Sequence, residues 1–343
     1  MDERLLIACK KGNEQKVRTL LLEKSINVNI LDSNGYTPLF YACSYGHTEA
    51  VKLLIRDIRT SVNIETKEGI SPIYKACEKG YLKTARLLLN DKRVDINRAD
   101  INGTTPFNIA CKNGDIKIVH LLLQDNRVEI NRPNNDGATP FYSACQNGHL
   151  EVVITLLNDK RIDITKEDNE GATPIYAACK NGNIEIVMLL LNDQRVDINE
   201  TENNGTTPFY IACEKGHTEI VKLLINDEKI EINQTKNDGL FPFLVACQNG
   251  HIEVVKYFLA CERKIDINKK WNNQETALDI TKQRCNSTRK YESESEEQFQ
   301  KAKTNCPFIV TLIENYQKNP KNTRVKLRKE LKFGNLFPFF LFF

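Results

Sequence analysis

The chain has 343 residues, of which 41% are hydrophobic and 27% are charged, so wholesale disorder and a collagen-like fibre are both excluded. Its 48 basic and 45 acidic side chains give a net charge of +3, too balanced to favour nucleic acid or a membrane as the partner. The N-terminus has no apolar stretch typical of a signal peptide, so we expect a cytoplasmic or nuclear protein with reduced thiols.

Four kinds of marker recur at a constant interval of 34 residues. They are a cysteine, a glycine three residues after it, a turn glycine, and a proline three residues after the turn glycine. The cysteine series is Cys9, Cys43, Cys77, Cys111, Cys145, Cys179, Cys213 and Cys247. A period held by four markers predicts an array of repeated supersecondary structures instead of the two or three domains that the length alone would suggest.

Residues 1–28 contain a predicted helix pair without a preceding turn motif, which indicates an N-terminal cap. In the first full repeat, Asn34-Gly35 predicts a turn because glycine accepts a positive φ. Thr37 suits the N-cap of a helix, and Pro38 suits its first position, where no amide proton is needed. A second amphipathic helix and a short extended segment complete the repeat.

Residues 29–268 hold seven full repeats, and residues 269–316 are predicted to form a C-terminal capping repeat. The cap is interrupted at 286–303 by a polar insertion, which we expect to be a solvated loop. Phe241 stands where the other repeats have a capping Thr or Ser, so its helix should be less stable by about 1 kcal/mol. Residues 317–343 form a basic and then Phe-rich tail.

One repeat, Asn203–Asn233, contains in order a turn, Thr-Pro, Ala-Cys, Gly-His, Val-Lys-Leu-Leu and Ile-Asn. This combination resembles the ankyrin repeat over roughly residues 4–316, with a period of 34 instead of the usual 33 or so. The resemblance implies an all-α solenoid of helix-turn-helix repeats with β-hairpin-like fingers. It also implies that Asn97, in an Ile-Asn step, could be hydroxylated. The family's motif histidine is replaced, and the hydroxyls of the replacing tyrosines, such as Tyr74 and Tyr142, could supply its hydrogen bonds.

The recurring cysteines and histidines are interpreted as structural. Equivalent positions in adjacent repeats should lie about 8–10 Å apart, whereas a disulfide needs Cα atoms within about 7 Å. We therefore expect the cysteines to be buried thiols of the core. Four histidines follow a repeat glycine and should support the turn between helices instead of binding a metal; they are His47, His149, His217 and His251.

The sequence contains no phosphate-binding glycine loop, nucleophile elbow or kinase signature. Recurring acidic residues beside the Ile-Asn step, such as Asp95, are interpreted as turn-stabilising carboxylates instead of a catalytic pair. We expect no enzyme activity, no cofactor and no metal.

A partner protein should instead bind on the concave surface that the resemblance implies, which the finger tips and the exposed ends of the first helices would form. Large apolar or aromatic residues interrupt the otherwise polar positions of this surface, and such residues are typical anchors of a binding patch. The candidates are Tyr36, Tyr45, Ile70, Ile101 and, as a second and weaker patch, Leu240. Alternatively, Tyr45 and Ile70 only cover neighbouring repeats.

The C-terminal region has a positive net charge, whereas the rest of the chain has a negative one. Residues 269–343 carry 15 basic and 8 acidic side chains, whereas residues 1–268 carry 33 and 37. Residues 318–332 could form an amphipathic helix for a partner, an anionic membrane or nucleic acid, or only a solvated helix. The Phe-rich end is shorter than the roughly 20 residues that span a bilayer.

The favoured function is a monomeric, non-enzymatic protein-interaction scaffold. One alternative is a substrate adaptor for a modifying enzyme such as a ubiquitin ligase. Another is a peripheral membrane or cytoskeletal tether that uses the tail, which is the only part expected to contact a membrane. The identity of the partner does not follow from the sequence.

Overall fold

The computed structural model describes residues 3–291 and 294–332, and within these residues it contains nineteen α-helices and no β-strand. The first helices of successive repeats are α1 (Arg4–Lys10), α3 (Pro38–Ser44), α5 (Pro72–Glu78), α7 (Pro106–Asn113), α9 (Pro140–Asn147), α11 (Pro174–Asn181), α13 (Pro208–Lys215) and α15 (Pro242–Gln248). The second helices are α2 (Glu14–Leu21), α4 (Thr48–Arg56), α6 (Leu82–Leu89), α8 (Ile116–Leu123), α10 (Leu150–Leu157), α12 (Ile184–Leu191), α14 (Thr218–Ile225) and α16 (Ile252–Ala260). The C-terminal helices are α17 (Ala277–Asn286), α18 (Glu296–Lys318) and α19 (Pro320–Glu330).

The first helices begin as the sequence predicts. The Thr37 hydroxyl oxygen accepts a hydrogen bond from the Phe40 amide at 3.0 Å, and Pro38 occupies the first turn. Equivalent hydroxyls cap the next five of these helices, from Ser71, Thr105, Thr139, Thr173 and Thr207. Phe241 gives α15 no side-chain cap, which agrees with the expected weaker start.

Each finger is a tight turn closed by two backbone hydrogen bonds. In the first finger the Gly35 amide donates to the Asp32 carbonyl, and the Asp32 amide donates to the Tyr36 carbonyl. Gly35 has φ +82°, a conformation in which a Cβ would be strained. The fingers are therefore hairpin-like turns without a strand ladder.

The contacts divide the chain into two compact units, residues 1–169 and 170–343. In both units the repeating Ala-Cys pair lies on the buried face of the first helix, so the prediction that these cysteines are core residues is confirmed. Aromatic rings fill the core of the C-terminal unit, where Phe258 packs edge-on against Phe209 and Phe243 at centroid distances of 5.7 and 5.4 Å. Small side chains beside large rings let the helices of one repeat approach those of the next.

The insertion at 286–303 is a loop only in part, and the prediction of a solvated loop is wrong from Glu296 onward. Helix α18 begins there, at a capping box in which the Ser295 and Gln298 side chains bond each other's backbone amides. Phe299 and Ala302 are buried, and a Cβ added to Gly250 would lie 2.4 Å from the Ala302 Cα. The polar composition concealed a helix whose one apolar stripe packs on the array.

The basic stretch of the tail forms α19, and this helix is docked. Leu327 is only 2% exposed, and α19 packs against α16 and α18. Salt bridges join Lys256 to Glu330 and Arg328 to Glu262, each at 2.7 Å. Leu327 is thus used inside the C-terminal unit, whereas Val325 on the same helix is 53% exposed. The Phe-rich segment at 333–343 lies outside the described residues.

Candidate partner-binding surface

Consecutive repeats are joined by side chains that bond the backbone of the neighbouring repeat. Nε2 of each of four histidines lies near a carbonyl oxygen at the end of the preceding repeat's first helix, as in the 2.8 Å contact between His149 and Lys112. The same contact is made by His47, His217 and His251. The histidines therefore do support the turn, and they do so by linking one repeat to the next.

The asparagine of the Ile-Asn step makes a second link. Its amide donates to a carbonyl of the next repeat, and its oxygen accepts from a backbone amide two residues farther on, as when Asn97 contacts Arg127 at 2.7 Å and Glu129 at 2.9 Å. The same pair of bonds is made by Asn29, Asn63, Asn131 and, in the C-terminal unit, Asn199. The Asn97 side chain thus has a structural role whether or not it is hydroxylated.

An Asp-x-Arg loop after the second helix makes a third link. Arg127 forms an ion pair with Asp125 at 2.6 Å and also donates to the Leu89 carbonyl, at the end of the preceding second helix, at 2.7 Å. Arg59, Arg93 and Arg161 make equivalent bonds. The hydrogen bond from Arg127 lowers the pKa of Asp125 despite its partial burial. The extra residue of the 34-residue period is therefore part of the loop that caps the neighbouring helix.

The motif histidine is replaced in part by tyrosines that reach the next finger. The Tyr74 hydroxyl donates to Asp100 Oδ2 at 3.2 Å, and the Tyr142 hydroxyl donates to Asp168 Oδ2 at 2.8 Å. The expected substitution of hydrogen-bond donors is confirmed for these two repeats.

Against this regular framework, the first full repeat carries an unusual group of aromatic side chains, the aromatic row. It consists of Tyr36, Phe40, Tyr41, Tyr45 and His47. Tyr36 stacks on Phe40 at 4.7 Å between centroids and meets Tyr41 edge-on at 5.5 Å; Tyr41 then stacks at 6.3 Å on Tyr45, which lies 5.9 Å from His47. Such contacts hold the rings in fixed positions.

Two charged side chains, Lys10 and Asp32, hold Tyr41 in the middle of the aromatic row. Lys10 Nζ lies 5.1 Å above the Tyr41 ring, and the Tyr41 hydroxyl donates to Asp32 Oδ2 at 2.6 Å. Burial, together with the Asp32 carboxylate, raises the pKa of Tyr41 far above its usual value. Burial acts to raise the pKa of Asp32 as well, but the hydrogen bonds from Tyr41 and two backbone amides outweigh it and lower that pKa. The Tyr41 hydroxyl therefore stays protonated at neutral pH and donates its hydrogen bond to Asp32.

Two of the five predicted anchors belong to one row of contacting rings. Tyr36 is half-buried and Tyr45 is 49% exposed, and both belong to the aromatic row. Ile70 occupies the position of Tyr36 in the next finger and is half-buried. Ile101, in the finger after that, is 64% exposed, and its amide donates to the Glu68 carbonyl at 3.0 Å.

Leu240 is separate from these four residues, because it lies in the C-terminal unit. It is half-buried, and its carbonyl closes a finger by accepting from the Lys236 amide at 2.9 Å. Phe241 beside it is buried under Lys269, whose Nζ is 5.3 Å from the ring centroid. The packing role shown here is that of Phe241, and Leu240 stays a predicted second patch.

Sequence reasoning missed Tyr41 and overlooked what makes Ile101 unusual. Other repeats have Lys, Ile, Ser, Ala or Val at the position of Tyr41, so comparison in register shows only that an aromatic ring is unusual there. At the position of Ile101, the later repeats have an asparagine. The side-chain amides of Asn135, Asn169 and Asn237 donate to a carbonyl of the preceding finger. Ile101 cannot make that bond, so its large apolar side chain has no equivalent purpose in the framework.

The remaining chemistry of the described residues is limited. Burial raises the pKa of the recurring cysteine thiols, as for Cys9, whose pKa is raised to about 12. Within residues 3–291 and 294–332 no group of three or more His, Cys, Asp or Glu side chains is arranged to hold a metal ion. No helix in that part of the chain is both long and apolar enough to cross a membrane.

Comparison with protein families identifies the class. A model described as "Ankyrin repeats (3 copies)" matches residues 5–100, 92–168 and 160–236, and an "Ankyrin repeat" model matches residues 238–269. The chain therefore belongs to the ankyrin-repeat family, whose members are generally non-catalytic modules of protein–protein interaction. A comparison with curated proteins gave no significant match.

Proposed function

We propose that the chain is a non-enzymatic scaffold, monomeric and located in the cytoplasm or nucleus, that binds a partner protein through its N-terminal unit. The aromatic row carries this proposal. Its rings are stacked on one another. The next two fingers carry two isoleucines, Ile70, which is half-buried, and Ile101, which is 64% exposed. Rigid aromatic anchors bind with little loss of conformational entropy, which makes them effective centres of an interface.

The aromatic row also combines apolar, polar and charged groups, as the centre of an interface often does. Tyr45 offers an exposed ring, Tyr41 holds its hydroxyl on Asp32, and Lys10 adds a positive charge above the Tyr41 ring. A surface of this kind suits a partner segment that combines apolar side chains with polar groups. The inter-repeat hydrogen bonds keep the fingers in place, so the site is preorganised.

The test is a triple variant of the full chain, Tyr36→Thr, Tyr45→Asn and Ile70→Thr, in which each new residue is one that other repeats carry at the same position. Quantitative affinity capture should show about tenfold or greater loss of the specific partner, because each lost anchor costs more than about 1 kcal/mol. The matched control is Leu240→Thr, the same position in the C-terminal unit, which should capture the partner as the unchanged chain does.

Circular dichroism and the thermal midpoint must first show that the triple variant is folded. Capture of the same partner at the same level by a folded triple variant would refute the assignment of this surface. Loss of capture in the Leu240→Thr variant alone would move the site to the C-terminal unit.

A further inference from the structure

Two of the eleven cysteines, Cys285 and Cys306, differ from the rest in position and environment. They lie outside the 34-residue register, Cys285 in the last turn of α17 and Cys306 in the middle of α18. These two helices pack against each other at the end of the C-terminal unit. Their side chains are close enough for the Cys285 thiol to act on the pKa of Cys306.

The two thiols have complementary accessibility. Cys285 is the one cysteine that is not buried, whereas Cys306 is fully buried. An oxidant can therefore reach Cys285, and the product can be resolved by a thiol that solvent does not reach. A partly exposed cysteine beside a second thiol is the arrangement that redox-sensitive pairs use.

A buried cation lies beside the pair. Arg284 is 2% exposed, forms an ion pair with Glu294, and has its guanidinium between the rings of Tyr291 and Phe299 at 4.4 and 4.8 Å. Its Nε has no hydrogen-bond partner among the described residues. Burial and the Cys285 thiol raise the pKa of Cys306 to about 12, and the Arg284 charge acts in the opposite direction. The guanidinium therefore only partly offsets the burial that keeps the Cys306 thiol protonated.

We propose that Cys285 and Cys306 form a peroxide-responsive dithiol, whose oxidation joins α17 to α18 through a disulfide. The Cys285 thiolate attacks one oxygen of a hydroperoxide, and the O–O bond breaks to leave a sulfenic acid and an alcohol or water. Cys306 then attacks the Cys285 sulfur, an S–S bond forms, and the hydroxyl leaves as water. The two thiols lose two electrons and two protons, which the peroxide accepts.

The other cysteines do not compete for this reaction. Cys247 lies near Cys306, but it is fully buried, and burial raises the pKa of its thiol. Cys261 is also buried, with its sulfur 3.2 Å from the Phe258 carbonyl oxygen. The proposal therefore assigns a single disulfide, which closes a segment of about 20 residues and fixes the ends of α17 and α18 to each other.

The experiment treats the reduced full-length chain with hydrogen peroxide and measures its intact mass. We expect a decrease of about 2 Da that dithiothreitol reverses, and a peptide pair linked through Cys285 and Cys306 after non-reducing digestion. Cys285→Ser should abolish this decrease, and because Cys285 is partly exposed this variant should fold. Cys261→Ser is the matched control and should still lose about 2 Da.

Three results would overturn the proposal. One is a mass gain of about 16 or 32 Da at Cys285 while Cys306 remains alkylatable, which would show oxidation without resolution. Another is a disulfide that links two chains or involves a different cysteine. The third is an unchanged mass under conditions in which an alkylating reagent modifies Cys285 in the folded chain.

Discussion

At the scale of single residues, glycines set the space between neighbouring repeats. Gly114 has φ +73°, and a Cβ there would lie 2.4 Å from Nδ1 of His149, the histidine that links the next repeat. Gly35 also has a positive φ, but its nearest neighbour would be Lys67 Cγ at 4.0 Å. The two positions therefore separate the cost of backbone strain from the cost of a steric clash.

The first prediction compares alanine at these two glycines. Gly35→Ala should lower the free energy of unfolding by about 1 kcal/mol, through strain alone. Gly114→Ala should lower it by roughly 1–3 kcal/mol more, because the methyl group displaces the His149 ring. Urea denaturation of the full chain measures both, and equal losses would show that the histidine contact does not limit this site.

How far the candidate site could be predicted from the sequence also depends on single residues. Tyr45 and Ile101 could be selected because each is a large apolar exception at a position that is polar in the other repeats. The signal is weaker for Tyr36 and Ile70, because their shared position has alanine or leucine in three other repeats. Tyr41, by contrast, occupies a position where other repeats have both polar and apolar residues, so no rule excluded it as ordinary core. Its importance follows from its contacts with two rings and a carboxylate, which a sequence does not show.

At the scale of the helices, starts and ends followed local rules that can be identified in the sequence. Thr-Pro predicted the starts of the first helices correctly because a hydroxyl cap and a fixed φ act within four residues. The start of α18 was missed because the polar composition of 286–303 was given more weight than the capping box from Ser295 to Gln298. Docking of α19 could not be predicted, since it depends on the packing of this helix against α16, which is distant in the sequence.

The second prediction concerns the helix without a cap. Phe241→Thr would supply the missing cap of α15, worth about 1 kcal/mol, but it would remove a ring that is only 3% exposed. Loss of such a ring costs about 3–5 kcal/mol, so the variant should be less stable by roughly 2–4 kcal/mol. Thermal and urea unfolding test this, with Thr207→Ala as the control that removes a cap alone and should cost about 1 kcal/mol. A gain in stability for Phe241→Thr would contradict the packing role.

At the scale of the whole chain, the Asp-x-Arg loops make stability depend on pH in a definite direction. Hydrogen bonds from the arginines lower the pKa of the loop carboxylates below the usual 3.8, as at Asp57, Asp91, Asp125, Asp159 and Asp193. A carboxyl whose pKa is lower in the folded state stabilises the fold above its unfolded pKa. This contribution is lost as the pH falls through the folded pKa.

The third prediction isolates one loop. Asp91→Asn keeps the oxygen that accepts from the Arg93 amide but removes the charge that pairs with the guanidinium. At pH 7 the variant should be less stable by about 1 kcal/mol, since Arg93 is partly exposed. Thermal unfolding between pH 7 and about pH 2 should show the difference shrinking below about pH 4. A difference that stays constant over this range would mean that the carboxylate charge contributes nothing.

The links between repeats have a consequence for how this chain can evolve. The histidine, asparagine and arginine links mostly end on carbonyl oxygens or amides of the adjoining repeat. Every amino acid supplies a carbonyl, and every one except proline supplies an amide, so the neighbour's side chains are free to drift without weakening the assembly. Within each unit, mutation can therefore explore new surface chemistry at the finger tips while the copied framework is inherited unchanged.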